Sequence, residues 1–373
     1  MTTRNRSLKL LEPLPLPNWF DPKTAFTWNV GETSRLEIAA TAEEYRRRFD
    51  INSFGHDLAT GRIVEMWGID WNSDFAHSNG ALPVTGMSGD EGMAAAARWA
   101  TLTMQLAHLV TYKRDTFDTH YPGGHVFFHQ AHEMYDGVSW VPAQSNIQVT
   151  HADYMSGKFR ASTEFAVMIG ADQRWLNRQF QYYTGELEKT SDHHVLFLWD
   201  EHCLFGTSGY RQSEPVRAST LFQTYLRRAP FWPIVKGTDA LTEKYSPVKA
   251  EVTTLWDGTA IAGAELDTDL LSSMLKAKVI IAGGLAGSHC FRAFALDAQS
   301  FLTQMDPRLM DNFYIVADCI APVVIRDGSG TVLFDFTSFQ TKALDELQSA
   351  GAHVVYSTTP FADWPGIQDK LTR

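Results

Sequence analysis

Short apolar runs alternate with longer amphipathic segments along most of the chain. Two of the longer segments, "EGMAAAARWATLTMQLA" and "TDLLSSMLKA", have apolar positions spaced by three and four and predict helices. The apolar runs predict buried strands, which are "GRIVEMWGID", "LAHLVTYKRD", "HHVLFLWD", "FWPIVKG", "KVIIAGG", "FYIVADCIA" and "AHVVYST". This alternation predicts an α/β fold of three layers, in which a mostly parallel sheet lies between two layers of helices.

Two parts of the chain depart from this alternation. Residues 1–60 are predicted to form an N-terminal extension, because the proline-rich stretch "LEPLPLPNWF" favours an extended arm. Residues 61–373 are predicted to form the α/β domain, with a long insertion at about 126–192. A connection of this length is typical of a lid or an interface, although its aromatic residues equally suit the core of a helical hairpin.

Composition narrows the class of protein. The chain has 373 residues, of which 44% are hydrophobic and 20% charged, as in ordinary globular domains. Its net charge of −11 argues against nucleic acid or an anionic membrane as a partner, and no apolar run is long enough to cross a bilayer. The three cysteines lie far apart and form no disulfide framework, so we expect a cytoplasmic protein.

Polar residues follow several of the predicted strands at the point where each strand ends. The carboxyl ends of parallel strands meet at one edge of a sheet, where α/β proteins bind their ligands. We therefore expect six side chains to lie on one rim, namely those of Asp70, Asp118, His120, His202, Lys236 and Cys290.

Cys290 is a candidate nucleophile. It lies in "GGLAGSHCFRAFALDA", where the strand "KVIIA" passes through glycines into a predicted helix. A thiol at a helix N-terminus is expected to have a lowered pKa, because unpaired backbone N–H groups stabilise the thiolate. The alternative is structural, since a free cysteine is more often a small buried apolar residue.

Three segments resemble the isochorismatase-like cysteine hydrolases and, within them, the nicotinamidases. "GIDWNSDFAHSNGALPVTG" is similar to their first-strand motif, and "IVKGTD" with "EKYS" is similar to their lysine-glycine and "YS" segments. "GGLAGSHCFRAFALDA" is similar to the segment that carries their nucleophile. The three motifs occur in the family's order, and the resemblance runs from about Arg62 to the last predicted strand.

The resemblance implies a catalytic triad of Asp70, Lys236 and Cys290. It also implies an oxyanion hole formed by backbone N–H groups around Ala286 and Cys290, with a cis peptide bond between Leu285 and Ala286. The implied reaction is hydrolysis of a small carboxamide to an acid and ammonia through a thioester on the cysteine. The residue types suit this reaction, because a carboxylate can accept the thiol proton and an ammonium can stabilise the thiolate.

The resemblance also implies a divalent metal ion. "FDTHYPGGH" matches the family's Asp-x-His segment and supplies Asp118 and His120, while "WDEHC" matches its "W-x-x-H-C" segment and supplies His202. His125 is a further candidate ligand, and His129 and His132 rank below it. Two imidazoles and one carboxylate suit zinc, with iron and manganese as alternatives.

Some alternatives remain open at the level of sequence. "WDEHC" has an aspartate where nicotinamidases usually have proline, and the insertion is longer than in compact members, so another amide, a ureide or a hydrazide competes with nicotinamide as the substrate. Vinyl ether hydrolysis of the isochorismatase type and a non-catalytic binding or scaffold protein are further alternatives. The family commonly forms homo-oligomers, which we also expect here.

Overall fold

The structure is a computed structural model that describes residues 9–189 and 195–372. The predicted end of the insertion at residue 192 and the first two residues of "HHVLFLWD" lie outside these ranges. Within them the chain forms thirteen strands: β1 (Val64–Ile69), β2 (Tyr112–Asp118), β3 (His132–Tyr135), β4 (Trp140–Pro142), β5 (Ile147–Val149), β6 (Phe159–Ala161), β7 (Leu196–Leu198), β8 (Ile234–Lys236), β9 (Val279–Leu285), β10 (Phe313–Ala321), β11 (Val324–Arg326), β12 (Val332–Asp335) and β13 (His353–Val355).

The same ranges contain twelve α-helices: α1 (Arg35–Arg48), α2 (Phe54–Thr60), α3 (Ser73–Ala76), α4 (Glu91–Leu106), α5 (His151–Met155), α6 (Thr163–Met168), α7 (Gln173–Leu187), α8 (Glu214–Arg227), α9 (Thr268–Ser272), α10 (Cys290–Met305), α11 (Thr337–Ser349) and α12 (Ile367–Thr372). None of these helices combines the length and the apolar character needed to cross a bilayer.

A six-stranded sheet with the order β13-β10-β9-β1-β2-β8 forms the centre of the fold, and all its strand pairs are parallel. Successive residues of β9 point to opposite faces. Val279 and Ile281 pack in the core that contains α4 and α8, whereas Ile280 and Ala282 pack in the core that contains α10. The predicted three-layer α/β architecture is confirmed.

The chain reverses its direction of travel across the sheet next to β1. It runs from β1 outward to β2 and β8, and then returns to place β9 on the other side of β1. In open parallel sheets such a reversal leaves a crevice at the carboxyl ends of the central strands. The candidate site lies at this crevice.

Two predicted strands need correction. "LAHLVTYKRD" is only partly a strand, because α4 continues to Leu106 and β2 begins at Tyr112. The run "HHVLFLWD" does not join the central sheet, since β7 pairs antiparallel with β5 in a separate two-stranded sheet. The apolar residues within 106–110 and 196–199 of these runs are buried, and a short buried apolar run has the same composition in a helix, a loop or a strand.

The N-terminal segment packs on the chain's own domain. Leu14 and Phe20 are buried, and the backbone N–H of Leu14 donates to the carbonyl of Gln105 at the end of α4. In α1, the ring of Tyr45 packs edge-on against Phe222 of α8, with 5.5 Å between ring centroids. The N-terminal segment thus contacts both α4 and α8 through buried side chains and a backbone hydrogen bond.

The insertion is a mixed structure and not a helical hairpin. Strands β4, β3 and β6 form a three-stranded antiparallel sheet, against which α7 packs. His132 in β3 is fully buried, where its Nε2 donates to the carbonyl of Val126 at 2.6 Å and its Nδ1 contacts the hydroxyl of Tyr154. Aromatic and imidazole rings, including Phe180, thus form the core of this unit.

The burial of His132 predicts a pH-dependent loss of stability. Burial lowers the pKa of His132 from 6.5 to about 4, so the unfolded chain takes up a proton below pH 6.5 that the folded chain resists. The free energy of unfolding should therefore fall between pH 6.5 and 4, with this residue contributing about 2 kcal/mol of the loss at pH 5. Urea unfolding at pH 7.5 and pH 5 should show a smaller fall for His132→Gln than for wild type, and equal falls would contradict this assignment.

Candidate active site

Four neighbouring strands of the six-stranded sheet, β9, β1, β2 and β8, bring charged and nucleophilic residues to one end of the sheet. Asp70 directly follows β1, Asp118 ends β2, Lys236 ends β8, and Cys290 begins α10 after the turn that follows β9. All four are buried.

The ammonium of Lys236 joins these residues into one cluster. Its Nζ lies 2.9 Å from Asp70 Oδ2 and 2.9 Å from Asp118 Oδ1, and it donates a hydrogen bond to Cys290 Sγ at 3.6 Å. The hydroxyl of Thr116 on β2 donates to the other oxygen of Asp70 at 2.5 Å. One buried cation thus contacts two carboxylates and a thiol.

The surroundings of this cluster set its protonation. Burial raises the pKa of Asp70, and the charge of Asp118 adds to this effect, although Lys236 opposes it. Burial alone would lower the pKa of Lys236, but Asp118 and Asp70 together hold it well above its usual value. The ammonium therefore keeps its charge, while the Asp70 carboxyl is a stronger base than a solvated aspartate.

The expected lowering of the thiol pKa by the helix N-terminus is wrong. Cys290 does begin α10, but burial raises its pKa well above the usual value, and the charges of Asp70 and Asp118 add to this, while Lys236 acts in the opposite direction. Loss of hydration of the thiolate and the negative charges of the nearby carboxylates raise this pKa although the thiol lies at a helix N-terminus. Cys290 is therefore a neutral thiol that needs a base.

A tight turn joins β9 to the cysteine. The peptide bond between Leu285 and Ala286 is cis. Gly284 has a φ of +150°, and a Cβ at this position would lie 2.3 Å from the carbonyl oxygen of Ile69, so only glycine fits here. The N–H groups of His289 and Phe291 donate to the Ala286 carbonyl at 3.0 and 3.1 Å and close the turn around the thiol.

Asp118 also contacts two histidines. Its Oδ2 lies 2.9 Å from His120 Nε2 and 3.5 Å from His202 Nε2. His202 reaches this position from the loop after β7, so it lies on the predicted rim although its strand is not part of the central sheet. The ligand atoms of Asp118, His120 and His202 lie within 4.8 Å of one another.

The hydrogen bonds of the two imidazoles turn their Nε2 atoms toward Asp118. His120 Nδ1 donates to the carbonyl of Gly237 at 2.8 Å, and His202 Nδ1 donates to the carbonyl of Asp200 at 2.7 Å. Since a carbonyl only accepts, each Nδ1 carries a proton, and each Nε2 is the ring nitrogen that faces Asp118. Two imidazoles that lose the Nε2 proton on binding, together with one carboxylate oxygen, suit a divalent cation, and the carbonyl that accepts from each Nδ1 orients each ring.

His125 lies beside this set. Its ring centroid is 4.4 Å from that of His120, while its Nδ1 accepts a hydrogen bond from the N–H of Phe127 at 3.3 Å and lies 3.7 Å from Glu243 Oε2. Burial holds the pKa of His125 well below its usual value, and the charge of His120 adds to this effect. The neutral ring packs against the group formed by Asp118, His120 and His202.

Glu243 is a residue at this site that sequence reasoning missed. It is buried, and burial together with the charge of Asp118 raises its pKa. The resemblance singles out its segment "EKYS" for the "YS" pair, but Glu243 ends no predicted strand and was not among the candidate residues. Only the folding of the loop after β8 brings it to His125.

A cleft of about 410 Å³ opens above the thiol. Its walls come from the turn after β1, the loop after β7, the loop after β8, the start of α10 and the segment after β10. The lining residues are Phe75, Leu82, Val84, Asp118, Trp199, His202, Glu243, Tyr245, Ala286, His289, Cys290 and Val323. Apolar and aromatic side chains therefore surround a polar end formed by the thiol, the two carboxylates and His202.

No family model matches the chain, and no curated protein matches it. Solved structures do match. An Acinetobacter baumanii nicotinamidase and pyrazinamidase has 16% sequence identity and a TM-score of 0.45, with 80% of this chain and 97% of that chain covered. The yeast nicotinamidase has 16% identity and a TM-score of 0.46, with 79% and 99% covered. A Pyrococcus horikoshii pyrazinamidase in complex with zinc has 17% identity and a TM-score of 0.39, with 79% and 98% covered.

Proposed function

We propose that the protein is a metal-dependent cysteine amidohydrolase that cleaves a small uncharged aromatic carboxamide to the acid and ammonia. The observation that carries this proposal is the contact of the Lys236 ammonium with Asp70, Asp118 and the thiol of Cys290. A thiol, a base and a buried cation are the groups that acyl transfer through a thioester requires.

In the proposed reaction, one proton moves from the thiol of Cys290 to the carboxylate of Asp70 and then to the leaving nitrogen. The thiol is neutral at rest, and the raised pKa of Asp70 makes this carboxylate a base able to take the thiol proton as Sγ attacks the amide carbon. Lys236 stabilises the negative charge that develops on sulfur. Asp70 then gives the proton to the departing nitrogen, so that ammonia leaves and a thioester remains.

Hydrolysis of the thioester completes the cycle. Asp70, again a carboxylate, takes a proton from water as the water oxygen attacks the thioester carbon, and the C–S bond then breaks with return of the proton to sulfur. The backbone N–H groups of Ala286 and Cys290 are assigned to the carbonyl oxygen in both steps, where donors aimed at a developing oxyanion lower the barrier.

Asp118, His120 and His202 would hold the metal ion, for which zinc is proposed. A bound cation supplies a Lewis-acid site for a basic atom of the substrate at the polar end of the cleft. By holding the ion, the three residues would orient this atom, while the apolar walls would keep the amide next to Cys290.

The charge of the cleft limits the substrate. None of the described residues that line it is lysine or arginine, whereas Asp118 and Glu243 are acidic. A substrate carboxylate held at the apolar end, away from the metal ligands, would lose its hydration without gaining a cation from the lining side chains. Phe75, Trp199 and Tyr245 instead offer aromatic surfaces to a flat ring.

An amide panel tests this proposal. With zinc, iron or manganese supplied, we expect wild type to release ammonia from nicotinamide and pyrazinamide much faster than from the anionic amide maleamate. A preference for maleamate would contradict the substrate class. Absence of ammonia from every amide, of ammonia or urea from every ureide, and of hydrazine from every hydrazide in the panel would contradict the amidohydrolase itself.

Removing one metal ligand should reduce metal binding. His120→Ala deletes one of three protein ligands, so we expect its zinc affinity to fall by at least about tenfold. Elemental analysis after dialysis measures this loss. His129→Ala is a matched control, because His129 lies 3.4 Å from Asp200 outside the three-residue set. Equal zinc contents in His120→Ala and wild type would rule out His120 as a ligand.

A further inference from the structure

The end of β2 loses its strand neighbour on one side. Regular pairing of β1 with β2 runs from Glu65 opposite Tyr112 to Gly68 opposite Asp115. The chain then leaves the sheet at Asp70, whose φ is +48°, and turns into α3. On the opposite side, β2 remains paired with β8 as far as Asp118 opposite Lys236.

The side chain of Asn72 occupies the place of the missing neighbour. Its Nδ2 donates to the backbone carbonyl of Asp118 at 3.0 Å, and its Oδ1 accepts from the backbone N–H of Asp118 at 3.2 Å. Nδ2 also donates to the carbonyl of Tyr210 at 2.9 Å. The carboxamide thus satisfies both backbone groups of Asp118, as a paired strand would.

Asn72 itself is held in place. It is fully buried, and the residues after it are tied to the loop that follows His202, because the N–H groups of Ser73 and Asp74 donate to the carbonyls of Arg211 and Gly209 at 2.7 and 3.0 Å. The amide is therefore fixed from both sides. A carboxylate could not replace it, since it lacks the N–H donors for the two carbonyls.

We propose that Asn72 is a positioning residue that sets the carboxylate of Asp118 for two tasks at once. The Oδ1 of Asp118 contacts Lys236, and its Oδ2 contacts His120 and His202. A shift of the Asp118 backbone therefore disturbs both the cation that contacts Cys290 and the metal ligand set. This inference rests on the proposed function, which assigns Asp118 both to the contact with Lys236 and to the metal ligands.

Asn72→Ala tests this role with two readouts that do not depend on turnover. The dissociation constant for zinc, measured by competition with a chelating dye, should rise about 10- to 100-fold, which is the usual effect of losing a group that orients a ligand. In the metal-free protein, the pH profile of Cys290 alkylation by iodoacetamide should shift from that of wild type, because Asp118 contacts Lys236, whose ammonium donates to this thiol.

Asn312→Ala is the matched control. Its Nδ2 donates to the carbonyl of Ala277 at 3.1 Å, next to the first residues of β9 and β10. The variant therefore removes the same kind of contact at the end of the sheet opposite to Asp118 and Lys236. We expect wild-type zinc affinity and a wild-type alkylation profile. Asn72→Ser, which keeps one hydrogen-bonding group, covers the case in which Asn72→Ala does not fold, and its effects should lie between those of wild type and Asn72→Ala.

The outcomes separate this inference from the proposed function. If wild type binds zinc but Asn72→Ala matches it in both readouts, the positioning role is overturned and the proposed function stands. If wild type binds no zinc, the ligand assignment fails, and the alkylation profile of Asn72→Ala still decides whether Asn72 sets the Asp118–Lys236–Cys290 arrangement.

Discussion

Replacing Cys290 by alanine should reduce ammonia release by roughly four to six orders of magnitude, which is the usual loss when a covalent nucleophile is removed. The structure gives the reason, since Cys290 Sγ is the thiol that contacts Lys236 at the floor of the cleft. The fold should persist, because the change removes one buried atom. A sensitive ammonia assay with the best amide of the panel measures the effect.

Cys319→Ala is the matched control for this change. Cys319 is also a free, buried cysteine, but it lies in β10 and does not line the cleft. We expect it to keep wild-type turnover. A Cys290→Ala protein that retains a rate within about tenfold of wild type would rule out covalent catalysis by this residue.

Replacing Lys236 by methionine should have the second largest effect. The change leaves the buried carboxylates of Asp70 and Asp118 without their shared cation, which should destabilise the fold by about 3–5 kcal/mol. Because Lys236 acts to lower the pKa of Cys290, its loss should move the alkylation profile of the thiol to higher pH. Turnover should fall with the loss of thiolate stabilisation.

Lys113→Met separates these effects. Lys113 is likewise buried in β2 and paired with a buried carboxylate, that of Asp115. Its replacement should also destabilise the fold, yet leave the alkylation profile of Cys290 unchanged. The same profile shift in both variants would mean that general loosening of the sheet, and not the Lys236 contact, governs the thiol.

The location of the site was predictable because it follows from the geometry of parallel strands. Polar residues that end apolar runs are brought together wherever those runs lie in one sheet, as for Asp70, Asp118 and Lys236. The prediction that β7 joins the central sheet was wrong, because the composition of a buried apolar run does not indicate which strand it pairs with. His202 reaches the rim through its loop.

The roles of Asn72 and Glu243 and the pKa of the thiol depend on contacts between distant parts of the chain, which a local sequence pattern does not indicate. Asn72 bonds to Asp118, which lies 46 positions further along the chain, and Glu243 reaches the site only through the path of a loop. The thiol pKa was misjudged because the helix end is a local feature, whereas the burial and the carboxylates that outweigh it come from the whole fold.

Direct detection of the acyl-enzyme tests the central claim. Wild type mixed rapidly with nicotinamide or pyrazinamide, quenched in acid and analysed by intact-mass and peptide mass spectrometry should carry one acyl group on the peptide that contains Cys290. The group should appear no later than the first ammonia and be absent from Cys290→Ala. Ammonia release without any adduct under conditions that trap a control thioester, or an adduct on another residue, would contradict the account.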